Sequence, residues 1–120
     1  MKDEKSIVYV VTTDEPTKQY SPLVLAQTAS MMELKPIVYY LGTSLKILIK
    51  GEAEKIQLGN FPSVKEMLNK TIAMNIPIYV CEASKQMLAM EKIDLIQNVK
   101  IVGAGTLNDL ALDASATMWF

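Results

Sequence analysis

Apolar residues along this chain fall into two kinds of segment. Short blocks rich in Val, Ile and Tyr alternate with longer stretches in which apolar residues recur every three or four positions. The blocks read as strands buried on both faces, the longer stretches as helices with a covered side. Residues 1–5 are mostly charged and are expected to fray. Ser6 to Thr12 (SIVYVVT) is the first strand, and Thr13 to Tyr20 is a polar loop around Pro16. Ser21-Pro22 reads as a helix start, with serine capping and proline in the first turn. That helix runs to about Met32 or Glu33. Leu25, Ala26, Ala29 and Met32 form its inward stripe, with Val24, Thr28 and Met31 on a second side. Pro36 to Leu41 is the second strand, ended by Gly42.

Residues 43–62 have the weakest pattern. Leu45, Ile47, Leu48 and Ile49 suggest a short amphipathic helix, with more apolar residues than a surface helix needs, so a neighbouring subunit is expected to cover it. Gly59-Asn60-Phe61-Pro62 is a loop. Ser63 and Glu66 then make a capping box, opening a helix with Val64, Met67, Leu68, Thr71 and Ile72 on one face and Asn75 as a left-handed stop. Ile76 to Cys81 is a third strand, followed by a short helix to about Met90. Val99 to Gly103 is a fourth strand. Thr106 caps a last helix with Leu107, Leu110, Ala111 and Ala114 inward, and Ala116 to Phe120 is a fifth strand. The methionines at 31, 32, 67, 74, 87 and 90 read as core filling.

Strand and helix alternate throughout. This order implies an α/β domain over residues 1–120, with a mainly parallel five-stranded sheet, right-handed crossovers and helices on both faces. In such sheets the working edge lies at the carboxyl ends of the strands. Thr12-Thr13-Asp14, Gly42-Thr43-Ser44, Cys81-Glu82 and Gly103-Ala104-Gly105-Thr106 all fall there.

Composition narrows the chemistry. The sequence has no histidine, and all 12 basic residues are lysine. Ser-His-Asp and Cys-His catalysis, His-ligated metals, arginine phosphate clamps and cysteine-loop-arginine phosphatase chemistry are excluded. The single cysteine can build neither an intrachain disulfide nor a structural zinc site within one chain. A formal net charge of −1 gives no reason to expect nucleic acid. No apolar stretch reaches membrane-spanning length, and Ile7 to Val11 is too short for a signal-peptide core, so a soluble cytoplasmic protein is expected. Gly103-Ala104-Gly105 fails the nucleotide-loop pattern, since Asn108 stands at the third glycine position and too little chain follows for the acidic ribose ligand. It reads as a tight turn. Thr12-Thr13-Asp14-Glu15 reads as a solvated loop whose hydroxyls border the thiol pocket.

Cys81 is the candidate site. It closes a strand and faces the start of a helix, where unpaired N–H groups favour a thiolate. Lys85, about one turn on, would lower the thiol pKa, and the adjacent Glu82 would raise it. Free cysteines are also among the most buried and inert residues, so packing alone explains one equally well.

The residues around it resemble a known family. Tyr79-Val80-Cys81-Glu82-Ala83-Ser84, then Val99 through Ala104, Leu107 through Leu112 and the ending Ala114 to Phe120 are similar to the DsrE/DsrF family of small sulfur-relay proteins. The resemblance covers most of the chain, is strongest from Ile76 onward and is poorest over residues 43–62. It implies a three-layer α/β/α sandwich (flavodoxin-like or Rossmann-like) and a homo-oligomer, trimer or hexamer. It also implies that Cys81 carries a persulfide. Donor and acceptor proteins supply the other thiols, a TusA-type protein being a candidate acceptor. Thiolate exchange needs no metal, histidine or cofactor, so one half-exposed cysteine suffices. Thr13, Asp14, Glu82, Ser84, Lys85 and Gly103 are expected to shape the pocket, with the backbone N–H groups of residues 83–85 stabilising the anion. Two alternatives stand beside the carrier: a non-catalytic oligomeric module in which Cys81 is structural, and a thiol redox sensor.

Overall fold

The computed structural model describes residues 4–120. Strands β1 (Ser6–Val11), β2 (Lys35–Tyr40), β3 (Ile78–Cys81), β4 (Lys100–Val102) and β5 (Ala116–Trp119) form one sheet. Every pairing is parallel, in the order β4-β3-β2-β1-β5. Helices α1 (Tyr20–Met31), α2 (Val64–Ala73), α3 (Glu82–Met87) and α4 (Ala104–Asp113) supply the connections, with shorter 3-10 turns between them. The expected α/β class and parallel sheet are what the chain forms.

The order of the strands decides how the helices are shared. From β1 to β4 the chain steps across the sheet in one direction, then returns past β1 to place β5. Right-handed crossovers put the first connections on one face and the last on the other. On the first face Tyr9, Val11, Val38, Tyr40, Ile78 and Val80 pack against Leu23 and Ala26 of α1 and Val64, Met67 and Leu68 of α2. On the second face Val8, Val10, Tyr39 and Cys81 meet Leu107 and Leu110 of α4 and Ala114 just beyond its end. One face thus carries a thick layer and the other a single ten-residue helix with no fully buried residue of its own.

Locally encoded features stand as expected. The Ser63 hydroxyl accepts the Glu66 N–H at 3.2 Å, and Asn75 ends the α2 turn with φ 60°. Buried Gln27 joins α1 to α2, its amide nitrogen donating to the Met67 carbonyl at 3.1 Å and to the Thr71 hydroxyl at 3.0 Å.

Other expectations need correcting. Gln19, not Ser21, precedes α1, without a side-chain cap. Leu25 and Met32 are 38% and 64% exposed while Leu23 is buried, because apolar residues surround α1 and leave its phase undetermined by pattern. Met31 and Met87 are exposed as well, whereas Met67 and Met90 are core. α4 begins at Ala104 behind Gly103, so Thr106 lies inside the helix and does not cap it. The fraying expected at the N-terminus does not extend to residues 4 and 5. The Lys5 carbonyl accepts the Lys35 N–H at 2.9 Å, and Glu4 pairs with Lys35 at 3.2 Å. Residues 1–3 lie outside the described residues.

The largest correction concerns the segment after β2. Gly42–Leu48 is a 3-10 helix, and Leu45, Ile47 and Leu48 are buried in this chain's own core. These side chains need no neighbouring subunit to cover them. A 3-10 helix has three residues per turn, so Leu45 and Leu48 fall on the same side. The expected outcome is that Leu48→Ala lowers the unfolding free energy by about 2–5 kcal/mol in urea titration. Met87→Ala, at a site 78% exposed, should change it by less than about 0.5 kcal/mol. Equal effects would remove Leu48 from the core.

Candidate functional site

β3 ends at Cys81, which also precedes the first residue of α3 with extended backbone angles, φ −73° and ψ 117°. Because successive strand residues point to opposite faces, Val80 enters the thick layer and Cys81 turns to the thin one. Its neighbours there include Tyr39 of β2.

Ser84 stands one helical turn on, and is buried. Its hydroxyl oxygen accepts the N–H of Gly42 at 2.8 Å. A hydroxyl has one hydrogen to give, and the Gly42 bond leaves that hydrogen free for the sulfur. Gly42 can aim its N–H this way because it takes the left-handed conformation, φ +64°. A side chain there would be strained, and its Cβ would lie 3.3 Å from the Thr12 carbonyl oxygen. Ser44 ties the same edge together, its one hydroxyl hydrogen shared between the Val11 and Leu41 carbonyls at 2.7 and 2.8 Å. Thr12 does so on the far side, its hydroxyl and N–H both donating to the Phe120 carbonyl at 2.7 and 2.8 Å.

The electrostatics of Cys81 are a contest. Burial pushes the thiol up, and this is the largest single influence. Against it stand the Ser84 hydroxyl, the Ser84 N–H, the Tyr39 hydroxyl and the Ala83 N–H, each favouring the anion. Together they win, and the thiol is held below its ordinary value. Tyr39 is pushed up to about 12, first by burial and then by the neighbouring Cys81. The Tyr39 hydroxyl itself has no partner of good hydrogen-bond geometry.

The half-exposed cysteine expected from sequence is not what the chain presents. Cys81 is 2% exposed, because its side chain turns onto the sheet face that α4 covers. It does not line the clefts beside α2, at the amino ends of β1 and β2, or between α1 and α2.

Of the six residues expected to shape a pocket, Ser84 alone acts on the sulfur. Glu82 is exposed, and the Lys85 ammonium donates to the Glu91 carbonyl at 3.4 Å. Neither belongs to the groups that set the acidity of Cys81. Of the backbone N–H groups at 83–85, those of Ala83 and Ser84 do. Thr13 is fastened within its own loop, its hydroxyl accepting the Glu15 N–H at 3.2 Å and its carbonyl accepting the Gln19 amide at 2.8 Å. Asp14 is half-buried in that loop, and Gly103 is exposed at the start of α4. Sequence reasoning missed Tyr39, and set Gly42 at the carboxyl edge without giving it a role. Gly42 carried a signal, as a glycine closing a strand block. Tyr39 carried none until the pairing of β2 with β3 was known.

Among the described residues no group of three or more His, Cys, Asp or Glu side chains could hold a metal ion, and no helix is long and apolar enough to cross a membrane.

Comparison with known proteins bears on family and fold. The chain is 27% identical over 118 residues to the uncharacterized protein MJ0760 of Methanocaldococcus jannaschii. That match takes in 98% of this chain but 43% of the relative, so the chain spans less than half of it. In fold it is similar to the ychN protein of E. coli, with a TM-score of 0.77 at 16% identity. The match covers 98% of this chain and 100% of the other. It is also similar to MTH1491 of Methanobacterium thermoautotrophicum, described as a protein of unknown function, with a TM-score of 0.75 at 10% identity and the same coverage. The model of the DsrE/DsrF-like family matches residues 5–120, and the chain belongs to that family.

Proposed function

We propose that this protein is a sulfur carrier in which Cys81 accepts sulfane sulfur and passes it on as a persulfide. Membership of the DsrE/DsrF-like family supports a sulfur-relay type of role. The observation that carries the finer reading is the acidity of Cys81: a buried thiol held below its ordinary value by four donors. An inert packing cysteine in a dry site would shift the other way.

The chemistry needs little else. The Cys81 thiolate attacks the outer sulfur of a donor persulfide, R–S–SH. The S–S bond of the donor breaks, the donor leaves as R–S⁻, and Cys81 keeps the sulfur as Cys–S–SH. An acceptor thiolate, a TusA-type protein being one candidate, removes that sulfur by the same step. No electrons are gained or lost overall. Because Cys81 is 2% exposed, the reading includes a docking step in which a partner displaces the cover over the sulfur. Exposed Glu82 would stand at that entrance. We further place the carrier in the cytoplasm as a homo-oligomer, a trimer or hexamer. Support for the assembly comes from the thinly covered second face, where Leu112 and Trp119 are 84% and 56% exposed.

The burial of Cys81 favours a second reading, an interaction module in which this residue only fills space. Intact-mass measurement separates the two. After incubation with a persulfide donor, the carrier gains the mass of one sulfur and Cys81→Ser gains none. No gain, with alkylation of native Cys81 as slow at high pH as at neutral pH, sinks the carrier.

Acidity gives a second test. Because the folded pKa lies below the unfolded one, ionisation of Cys81 stabilises the fold above the unfolded thiol's pKa. That gain is lost as pH falls through the folded value. Ser84→Ala removes one donor and leaves the Gly42 N–H unpaired. The midpoint of iodoacetamide alkylation against pH should therefore move upward. Stability should fall by about 1–3 kcal/mol, read by urea titration.

Light scattering at micromolar concentration should give a mass that is a multiple of the chain's. A monomer would remove the proposed assembly.

A further inference from the structure

We infer that Tyr39 is a positioning residue of the Cys81 site, its hydroxyl kept as a hydrogen-bond donor in reserve for an anionic sulfur at position 81. The use of that anion rests on the sulfur-carrier reading, but the donor itself does not.

The pairing of β2 with β3 sets Val38 beside Ile78, Tyr39 beside Tyr79 and Tyr40 beside Val80. Continued by one residue, it sets Leu41 beside Cys81, so Tyr39 and Cys81 are diagonal neighbours on one face. They share the same buried cluster. Tyr39 is 0% exposed, and its hydroxyl has no partner of good geometry. Among the described residues the only other buried side-chain atom in that position is Oε1 of Gln19. The Gln19 amide nitrogen is satisfied by the carbonyls of Thr13 and Glu15. Buried phenols ordinarily find a partner. Phenylalanine would fill the same space with one polar atom fewer.

The state of the sulfur resolves the oddity. A neutral thiol is a weak acceptor, so the phenol has little to bond. A thiolate, or the outer sulfur of a persulfide anion, is a strong one. The hydroxyl is therefore unpaired when residue 81 is neutral and paired when it is charged, which tilts the site toward the anion. The mutual influence fits: the Tyr39 hydroxyl favours the Cys81 anion, and Cys81 in turn hinders ionisation of Tyr39.

Few other groups compete. Tyr79 stands edge-on to Tyr39, with ring centres 6.5 Å apart. Register places Lys100 of β4 on this face, where it is exposed. α4 offers the face Leu107 and Leu110, with Ala114 just beyond its end, and Asp109 and Asp113 of the helix are exposed. On α3, Glu82 is exposed and Lys85 is turned to the Glu91 carbonyl.

The test is Tyr39→Phe in the full chain, with alkylation of Cys81 by iodoacetamide followed by intact mass across pH. The midpoint should rise by about one unit and the rate at neutral pH should fall about tenfold, the scale of a hydrogen bond to a charged group. An unmoved midpoint overturns the assignment. Should that variant fail to fold, Cys81→Ala decides. One of the five tyrosines should then ionise at lower pH than in the unaltered chain, followed by tyrosinate absorbance. An unchanged tyrosine titration overturns the assignment too. Sulfur uptake from a persulfide donor is measured on the same samples. A raised midpoint without uptake in the unaltered protein retains Tyr39 and removes the carrier. Uptake with an unmoved midpoint does the reverse.

Discussion

A parallel sheet whose crossovers all turn right-handed cannot place its helices freely. Each step across the sheet fixes the face on which the next helix lies. Here the steps from β1 to β4 all go one way and only the last goes back. The two faces are therefore unequal, with α1, α2 and the Gly42–Leu48 turn on one and α4 alone on the other. The single cysteine of the chain points to the thinner side. One residue of slip in β3 would exchange Val80 and Cys81 and bury the sulfur beneath two helices.

That placement governs the chemistry. The interior of the thick layer is hydrocarbon, and a thiol there would be neutral. At the carboxyl edge, strand ends leave N–H groups and hydroxyls unmatched by the sheet. Ser84, Ala83 and Tyr39 bring theirs to one sulfur, and the Gly42 N–H holds the Ser84 hydroxyl in place. The left-handed turn at Gly42 is the hinge of this arrangement, since it lets the end of β2 meet the start of α3. The acidity of Cys81 is thus a property of three elements meeting, and no single one of them would produce it.

How much could be read from sequence depended on the range of the interaction. The cap at Ser63, the stop at Asn75 and the alternation of strand and helix are local, and they were readable. The inward side of α1 was not, because Leu23, Val24, Leu25 and Ala26 offer apolar residues on every side and only the sheet selects among them. The turn after β2 was misjudged because its period is three and not three and a half, which hides Leu45 and Leu48 on one side. For the site, the position of Cys81 at a strand end came from its own neighbourhood. So did the N–H groups of Ala83 and Ser84, but Tyr39, and the Gly42 that holds the Ser84 hydroxyl, lie about forty residues earlier, and only strand order brings them near. Lys85 and Glu82, adjacent in sequence, are not among the groups that act on the sulfur.

The burial of Cys81 has a kinetic meaning. A residue that is 2% exposed reacts at its intrinsic rate multiplied by the fraction of time its surroundings stand open. Dissolved oxidants and small reducing thiols meet that factor in full, however abundant they are. A macromolecule able to hold the cover aside escapes it. Under the proposed carrier role, sulfur kept there would leak slowly into the surrounding pool and discharge quickly on contact, its lifetime set by how often the cover opens and not by the redox poise of the solution.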